Sequence, residues 1–179
     1  MAKKEIILGV TASIAGYKAC DIIRSLRDEG FNVTAVMTEG AKEFITPLSL
    51  ASLSGNRVYS QMFSDPEGWD IEHISLSQKC NLILIAPATA NMINKLAAGL
   101  CDDVLSAAVL ATKAPVLIAP AMNSRMYEHK ITQENIAKLK KIGYKFIGPK
   151  EGKLACGEIG IGHLADVEDI VKEAKRILK

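Results

Sequence analysis

The chain has 179 residues, enough for one domain with a sizeable core and too few for two ordinary ones. Apolar residues make up 49% and aromatics only 5%, so the core must be aliphatic. Lys and Arg total 22 against 20 Asp and Glu and are scattered, which argues against a nucleic-acid binder with a basic stripe. No run reaches the roughly 18 apolar residues that a membrane span needs.

Lys3 and Lys4 precede an apolar run, but it is only strand-length and is broken by Gly9. No signal peptide is therefore read there, and the cytoplasm is the expected location. From that start, apolar strands alternate with helix-like segments. Strands are expected over 6–10, 32–37, 82–86, 116–119 and 144–147, with a helix over 14–29 that Gly30 stops. Near-continuous apolar strands are buried on both faces, and the alternation implies right-handed crossovers. The expected fold is α/β: a doubly wound, Rossmann-like (flavodoxin-like) parallel sheet in a single domain over 1–179. The tail 172–176 mixes charges and reads as the solvated face of a last helix.

In such a fold, ligands sit beyond the carboxyl ends of the strands. The first strand runs into Gly9, Val10, Thr11, Ala12, Ser13 and Ile14 ahead of a helix. Small residues let a ligand approach the backbone, and hydroxyls beside a helix start suit a phosphate. The segment is neither GxGxxG nor a P-loop, so an ordinary tight turn is the plainer alternative. The second strand ends at Thr38 and the third at Ala88, Thr89, Ala90 and Asn91, where Thr89 is either a ligand or a helix cap. The fourth ends in Ala119-Pro120-Ala121-Met122-Asn123-Ser124-Arg125-Met126. There Asn123 either caps a short helix or meets a carboxylate or a flavin edge.

Cysteine spacing excludes a CxxC site: Cys20, Cys80, Cys101 and Cys156 stand apart, and no histidine pair has metal-ligand spacing. No metal is expected. The glycine-rich stretch 152–163 reads as a flexible loop, which makes Cys156 an accessible thiol suited to proton transfer or covalent work. His73, just ahead of the third strand, is either structural or catalytic on spacing alone, and His129 beside Lys130 reads as a surface residue.

Together these segments resemble one family, the homo-oligomeric flavin-containing cysteine decarboxylases, over nearly the whole chain. The combination carries the likeness. It comprises the 9–13 turn, His73, the Ala88-Thr89-Ala90-Asn91 run with Lys95 and Gly99-Leu100-Cys101-Asp102, the Pro-x-Met-Asn-x-x-Met run from Pro120, and Leu154-Ala155-Cys156-Gly157. The cysteine loop is similar to that of the branch acting on 4'-phospho-N-pantothenoylcysteine in coenzyme A biosynthesis. The resemblance implies FMN, lined by Gly9, Thr11, Ser13, Ile14, Thr38, Phe44, Thr89, Ala90, Asn91 and Ala119. His73, Asn123 and Cys156 match the family's catalytic trio, and Asn123, Met126, Ala155 and Cys156 would meet substrate from a clamp loop around 150–163. Known members are trimers or multiples of trimers, up to dodecamers.

The reaction the resemblance implies is a redox detour. The substrate's CH2–SH group is oxidised to a thioaldehyde, CO2 leaves, and the enethiol is reduced to 4'-phosphopantetheine with no nicotinamide needed. His73 would handle protons in the first half and Cys156 would give the last proton. Two positions depart from the family pattern: His163 stands where many members carry arginine, and Met92 where threonine is common. The second domain of many bacterial members is not expected in this chain, which would be a stand-alone enzyme or the first half of a longer one. A peptidyl-cysteine decarboxylase, a flavin prenyltransferase and a non-catalytic flavoprotein regulatory subunit are the alternatives.

Overall fold

A computed structural model describes residues 3–62, 72–153, 157 and 159–179, with the side chains of Glu72, His73 and Lys153 outside that description. Five strands form one parallel sheet: β1 (Glu5–Val10), β2 (Asn32–Met37), β3 (Leu82–Ala88), β4 (Val116–Pro120) and β5 (Lys145–Phe146). Their order is β2-β1-β3-β4-β5, the doubly wound arrangement with its switch point between β1 and β3.

Helices cover both faces, and the alternation of side chains along each strand explains how. Ile6, Leu8 and Val10 enter one core cluster with α1 (Ala19–Asp28) and α8 (Val167–Leu178). Ile7, Ile83, Ile85 and Ile118 enter the other, with α4 (Ala90–Ala98), α5 (Val104–Ala111) and α7 (Lys130–Lys141). All seven residues of β3 are buried, the signature of a central strand covered twice. The tail lies on α8, whose Ile170, Val171, Ala174 and Leu178 are buried, with Arg176 paired to Glu173 on the wet side.

Several local features differ from the sequence expectation. The helix over 14–29 is split into a 3-10 segment, Ile14–Lys18, and then α1. The Gly16 amide bonds the Ser13 carbonyl at 2.8 Å, an i to i+3 closure common at helix starts. Strand β3 runs past Pro87 to Ala88, with a register shift between Ile85 and Ala88 that accommodates a residue with no N–H to give. Two short helices, α2 (Pro47–Ser54) and α3 (Glu72–Lys79), appear where no element was expected. The stretch read as a flexible glycine loop contains an antiparallel hairpin, β6 (Lys150–Lys153) with β7 (Ile159–His163). The reading failed there because β6 is Lys-Glu-Gly-Lys, with no apolar residue, and β7 alternates isoleucine only with glycine, a residue depleted from strands.

Candidate functional site

The carboxyl edge of the sheet is stitched across by hydrogen bonds. Thr38 N donates to Val10 O at 3.0 Å, joining β2 to β1. The Thr11 hydroxyl donates to Pro87 O at 2.8 Å and accepts from Thr89 N at 3.0 Å, joining β1 to β3. Ala121 N donates to Ala88 O at 2.9 Å, joining β4 to β3, and Met122 N donates to Gly162 O at 3.0 Å, joining β4 to the hairpin. These bonds bring the ends of four strands and one hairpin into a single edge.

On that edge stand polar groups of differing availability. Thr38 is half-buried at an extended N-cap, and its hydroxyl makes no capping bond. Ser13 accepts from Ala15 N at 3.3 Å, and Thr89 caps α4 by accepting from Met92 N at 3.4 Å. The first backbone N–H groups of α4, at Ala90 and Asn91, have no acceptor within the helix, as at any helix start. Asn91 is exposed, and the apolar side chains of Ile14 (60% exposed) and Phe44 (45%) flank the same edge.

Four of the positions expected to line a ligand are buried: Gly9, Thr11, Ala119 and Ala90, the last of which offers only its backbone at the start of α4. Thr11 is buried with its hydroxyl engaged on both sides, so its place is behind Thr89. Ala119 is wholly buried in the core. A Cβ at Gly9 would stand 2.7 Å from Leu105 Cδ1, so the packing of α5 on β1 by itself favours a glycine here.

Asn123 is the N-cap of α6 (Ser124–Glu128), its Oδ1 accepting from Arg125 N at 2.9 Å. Met126, half exposed, lies one turn on and borders a groove of about 420 Å3 shared with Ala90, Asn94 and Ile131. His73 lies in the first turn of α3. Helix α3 ends just before β3 begins at the amino edge, so its eight residues, about 12 Å long, run back toward the carboxyl edge. Ala155 and Cys156 lie outside the described residues.

Other groups have structural work. The Lys95 ammonium is held above its usual pKa, first by its 2.7 Å bond to Asp102, with Asp103 at 3.2 Å adding to it. Asp103 also caps α5 in a reciprocal pair with Ser106. The Lys95 and Asp102 of the family pattern thus lock α4 to α5, a role that spacing alone did not reveal. Burial pushes the Cys20 and Cys80 thiols up, the opposite of an activated thiolate. His129 is exposed and caps α7. His163 is half-buried, its Nδ1 3.0 Å from Leu164 O. No group of His, Cys, Asp or Glu able to hold a metal occurs among the described residues, and no helix in them is long and apolar enough to cross a membrane.

The donor set fits a flavin. Hydroxyls and helix-start amides suit a phosphate and a polyol, exposed Ile14 and Phe44 suit an apolar ring, and the switch point lies between β1 and β3. A wider groove of about 740 Å3 between α1 and α8 contains none of these residues.

Comparison with known proteins agrees with the geometry. Residues 1–179 match the profile of the Flavoprotein family. The chain is 46% identical over 177 residues to the probable phosphopantothenoylcysteine decarboxylase of Streptococcus mutans serotype c, covering 98% of this chain and 99% of that protein. It is also 46% identical to the coenzyme A biosynthesis bifunctional protein CoaBC of Bacillus subtilis, covering 97% of this chain but 43% of that longer protein. Among solved structures, a cysteine-to-serine mutant of PPC decarboxylase complexed with pantothenoylaminoethenethiol superposes with TM-score 0.89 at 29% identity, over 98% of both chains. The FMN-dependent cysteine decarboxylase SpaF superposes with TM-score 0.86 at 29% identity, over 99% of both. The chain belongs to the flavoprotein family, within its phosphopantothenoylcysteine decarboxylase branch.

Proposed function

We propose that this chain, with FMN on the strand-end cradle, decarboxylates 4'-phospho-N-pantothenoylcysteine to 4'-phosphopantetheine in coenzyme A biosynthesis. The observation that carries the reading is 46% identity to the Streptococcus mutans relative along almost its full length. FMN is preferred to FAD because one phosphate-sized set of hydroxyls is present without a dinucleotide fingerprint, and SpaF is an FMN-dependent relative in fold. Ser13, Thr38, Thr89, Ala90 and Asn91 would hold it by hydroxyl, amide and helix-start N–H groups, between Ile14 and Phe44. Gly9, Thr11 and Ala119 back this surface from within.

Direct loss of CO2 from a cysteine carboxylate would leave a carbanion with nothing to delocalise it. Bound flavin would supply a reversible acceptor of two electrons from the CH2–SH group, so that the resulting C=S group, β to the carboxylate, can take up the pair that CO2 leaves behind, with the charge on sulfur. The protein's part is to bind, orient and move protons. Asn123, held at the start of α6 by its Oδ1 bond from Arg125 N, meets the substrate carboxylate, and Met126 shapes the wall beside it. His73 takes the thiol proton during oxidation. Cys156 gives the last proton to carbon after CO2 has left. The PPC decarboxylase mutant complexed with pantothenoylaminoethenethiol supports that order, since its ligand is an enethiol and its substitution is cysteine to serine.

We further propose a trimer, or a multiple of one, in the cytoplasm. Tyr17 (58% exposed) and Leu48 (74%) add apolar surface to that of Ile14 and Phe44. Incubation of the purified protein with phosphopantothenoylcysteine and, separately, with a peptide ending in cysteine tests the reading. Phosphopantetheine and CO2 should form from the first, and FMN should be extracted from the protein. Turnover of the peptide alone, or FAD as the sole flavin, would overturn it.

A further inference from the structure

The second strand of the hairpin lies against the loop that carries Asn123. Met122 N donates to Gly162 O at 3.0 Å. Gly162 is buried and adopts φ +147°, a backbone conformation that side chains rarely accept. A Cβ built there would stand 2.1 Å from Met122 O and 3.4 Å from Ser124 N. The atom it would strike, Met122 O, is backbone and stands just ahead of Asn123, so no side chain can swing aside to make room, while Ser124 N beyond Asn123 would be in ordinary contact. Gly152 on the facing strand is different: a Cβ there would meet His163 Cβ at 3.5 Å, an ordinary contact.

We propose that Gly162 is a positioning residue for the substrate carboxylate. Its bare Cα lets β7 close on Met122 and Ser124, and this fixes the backbone from which Asn123 presents its amide. The hairpin is thereby part of the carboxylate site through strand β7 itself. The proposal rests on Asn123 as the carboxylate donor.

The test uses holoenzyme and two ligands that differ in the carboxylate. KM is measured for phosphopantothenoylcysteine, and the inhibition constant for phosphopantetheine, which lacks that group. Gly162→Ala should raise KM by roughly tenfold or more, the effect of misplacing a hydrogen bond to a charged group. The phosphopantetheine constant and the FMN affinity should stay within about twofold. Met122→Pro, which removes the donor to Gly162 O without adding bulk at position 162, should reproduce the KM effect should Gly162→Ala fail to fold. An unchanged KM, or a parallel loss of phosphopantetheine and FMN binding, overturns the proposal and makes Gly162 a packing residue only. Asn123→Ala separates the two ideas. If it leaves KM unchanged, the carboxylate assignment and this proposal fall together. If it raises KM while Gly162→Ala and Met122→Pro do not, Gly162 alone is wrong.

Discussion

The cradle at the ends of β1 to β4 and the hairpin beside it are held in place by different means. The cradle is woven into the sheet. Thr38, Thr11, Thr89 and Ala121 each bond an adjoining strand end, and the residues beneath them belong to two wholly buried cores. Among the described residues, the hairpin is bonded mainly within itself, reaches the sheet edge through Met122 N and Gly162 O, and is pinned at its foot by the Lys150–Asp166 ion pair. A surface assembled before any ligand arrives suits a resident cofactor, whose binding then costs little ordering. A unit with few attachments suits a substrate that must enter and leave with every turnover.

That contrast can be broken on either side. The largest effect is expected at His73. His73→Asn should lower both CO2 release and flavin reduction by substrate on the order of a hundredfold or more, while flavin remains bound. Near-normal turnover would make His73 structural. On the hairpin side, Cys156→Ser should divide the reaction. A serine hydroxyl is a far weaker acid than a thiol, so CO2 should still leave while phosphopantetheine forms slowly. Mass spectrometry should then find a product about two mass units lighter, because the return of two electrons and the last proton fails. Normal phosphopantetheine formation would make Cys156 incidental, and loss of CO2 release would move it to the first half.

Cradle substitutions should act through stability and flavin retention together. Gly9→Val would overpack against Leu105 and should cost about 1–3 kcal/mol, read as a lower unfolding midpoint. Thr11→Val leaves Thr89 N without its acceptor and should cost about 1–3 kcal/mol, with FMN held more weakly and Thr11→Ser restoring both. Equal behaviour of Val and Ser at position 11 would show that the hydroxyl stitch is dispensable.

The smallest effect is expected at the foot of the hairpin. The Lys150 ammonium holds the Asp166 carboxyl below its usual pKa, first through their direct bond. A carboxylate whose folded pKa is lowered contributes stability above its unfolded value, near 4, and loses it as pH falls through the folded one. Melting temperatures of Lys150→Met and the parent should therefore differ slightly near neutrality and converge below about pH 4. A difference that persists in acid would assign the effect to packing.

The same division decided what was legible in the sequence. Strands β1 to β4 showed as apolar runs, because a strand covered on both faces must be apolar along its length. Their ends showed as clusters of small and hydroxyl residues, and those clusters do meet on one edge. Which hydroxyls face outward was not legible. Thr11 and Thr38 look alike in sequence, yet of their two hydroxyls it is that of Thr11 that bonds across the sheet, to Pro87 and Thr89, whereas Thr38 reaches β1 through its backbone N–H. Gly9 looked like room for a ligand, whereas its constraint comes from Leu105, far along the chain. The hairpin stayed hidden because β6 has no apolar residue and β7 sets its isoleucines between glycines, while the close approach of Gly162 to Met122 is a contact between segments far apart in the chain.

The central claim is decarboxylation through reversible flavin reduction at the strand-end cradle. Anaerobic single-turnover mixing of the flavin-loaded protein with phosphopantothenoylcysteine tests it most directly, following flavin absorbance and CO2 together. The account predicts bleaching and recovery of the flavin band within one turnover, with one CO2 and one phosphopantetheine per site and no nicotinamide present. Release of CO2 with no change in flavin absorbance, or bleaching that never leads to CO2, would contradict it.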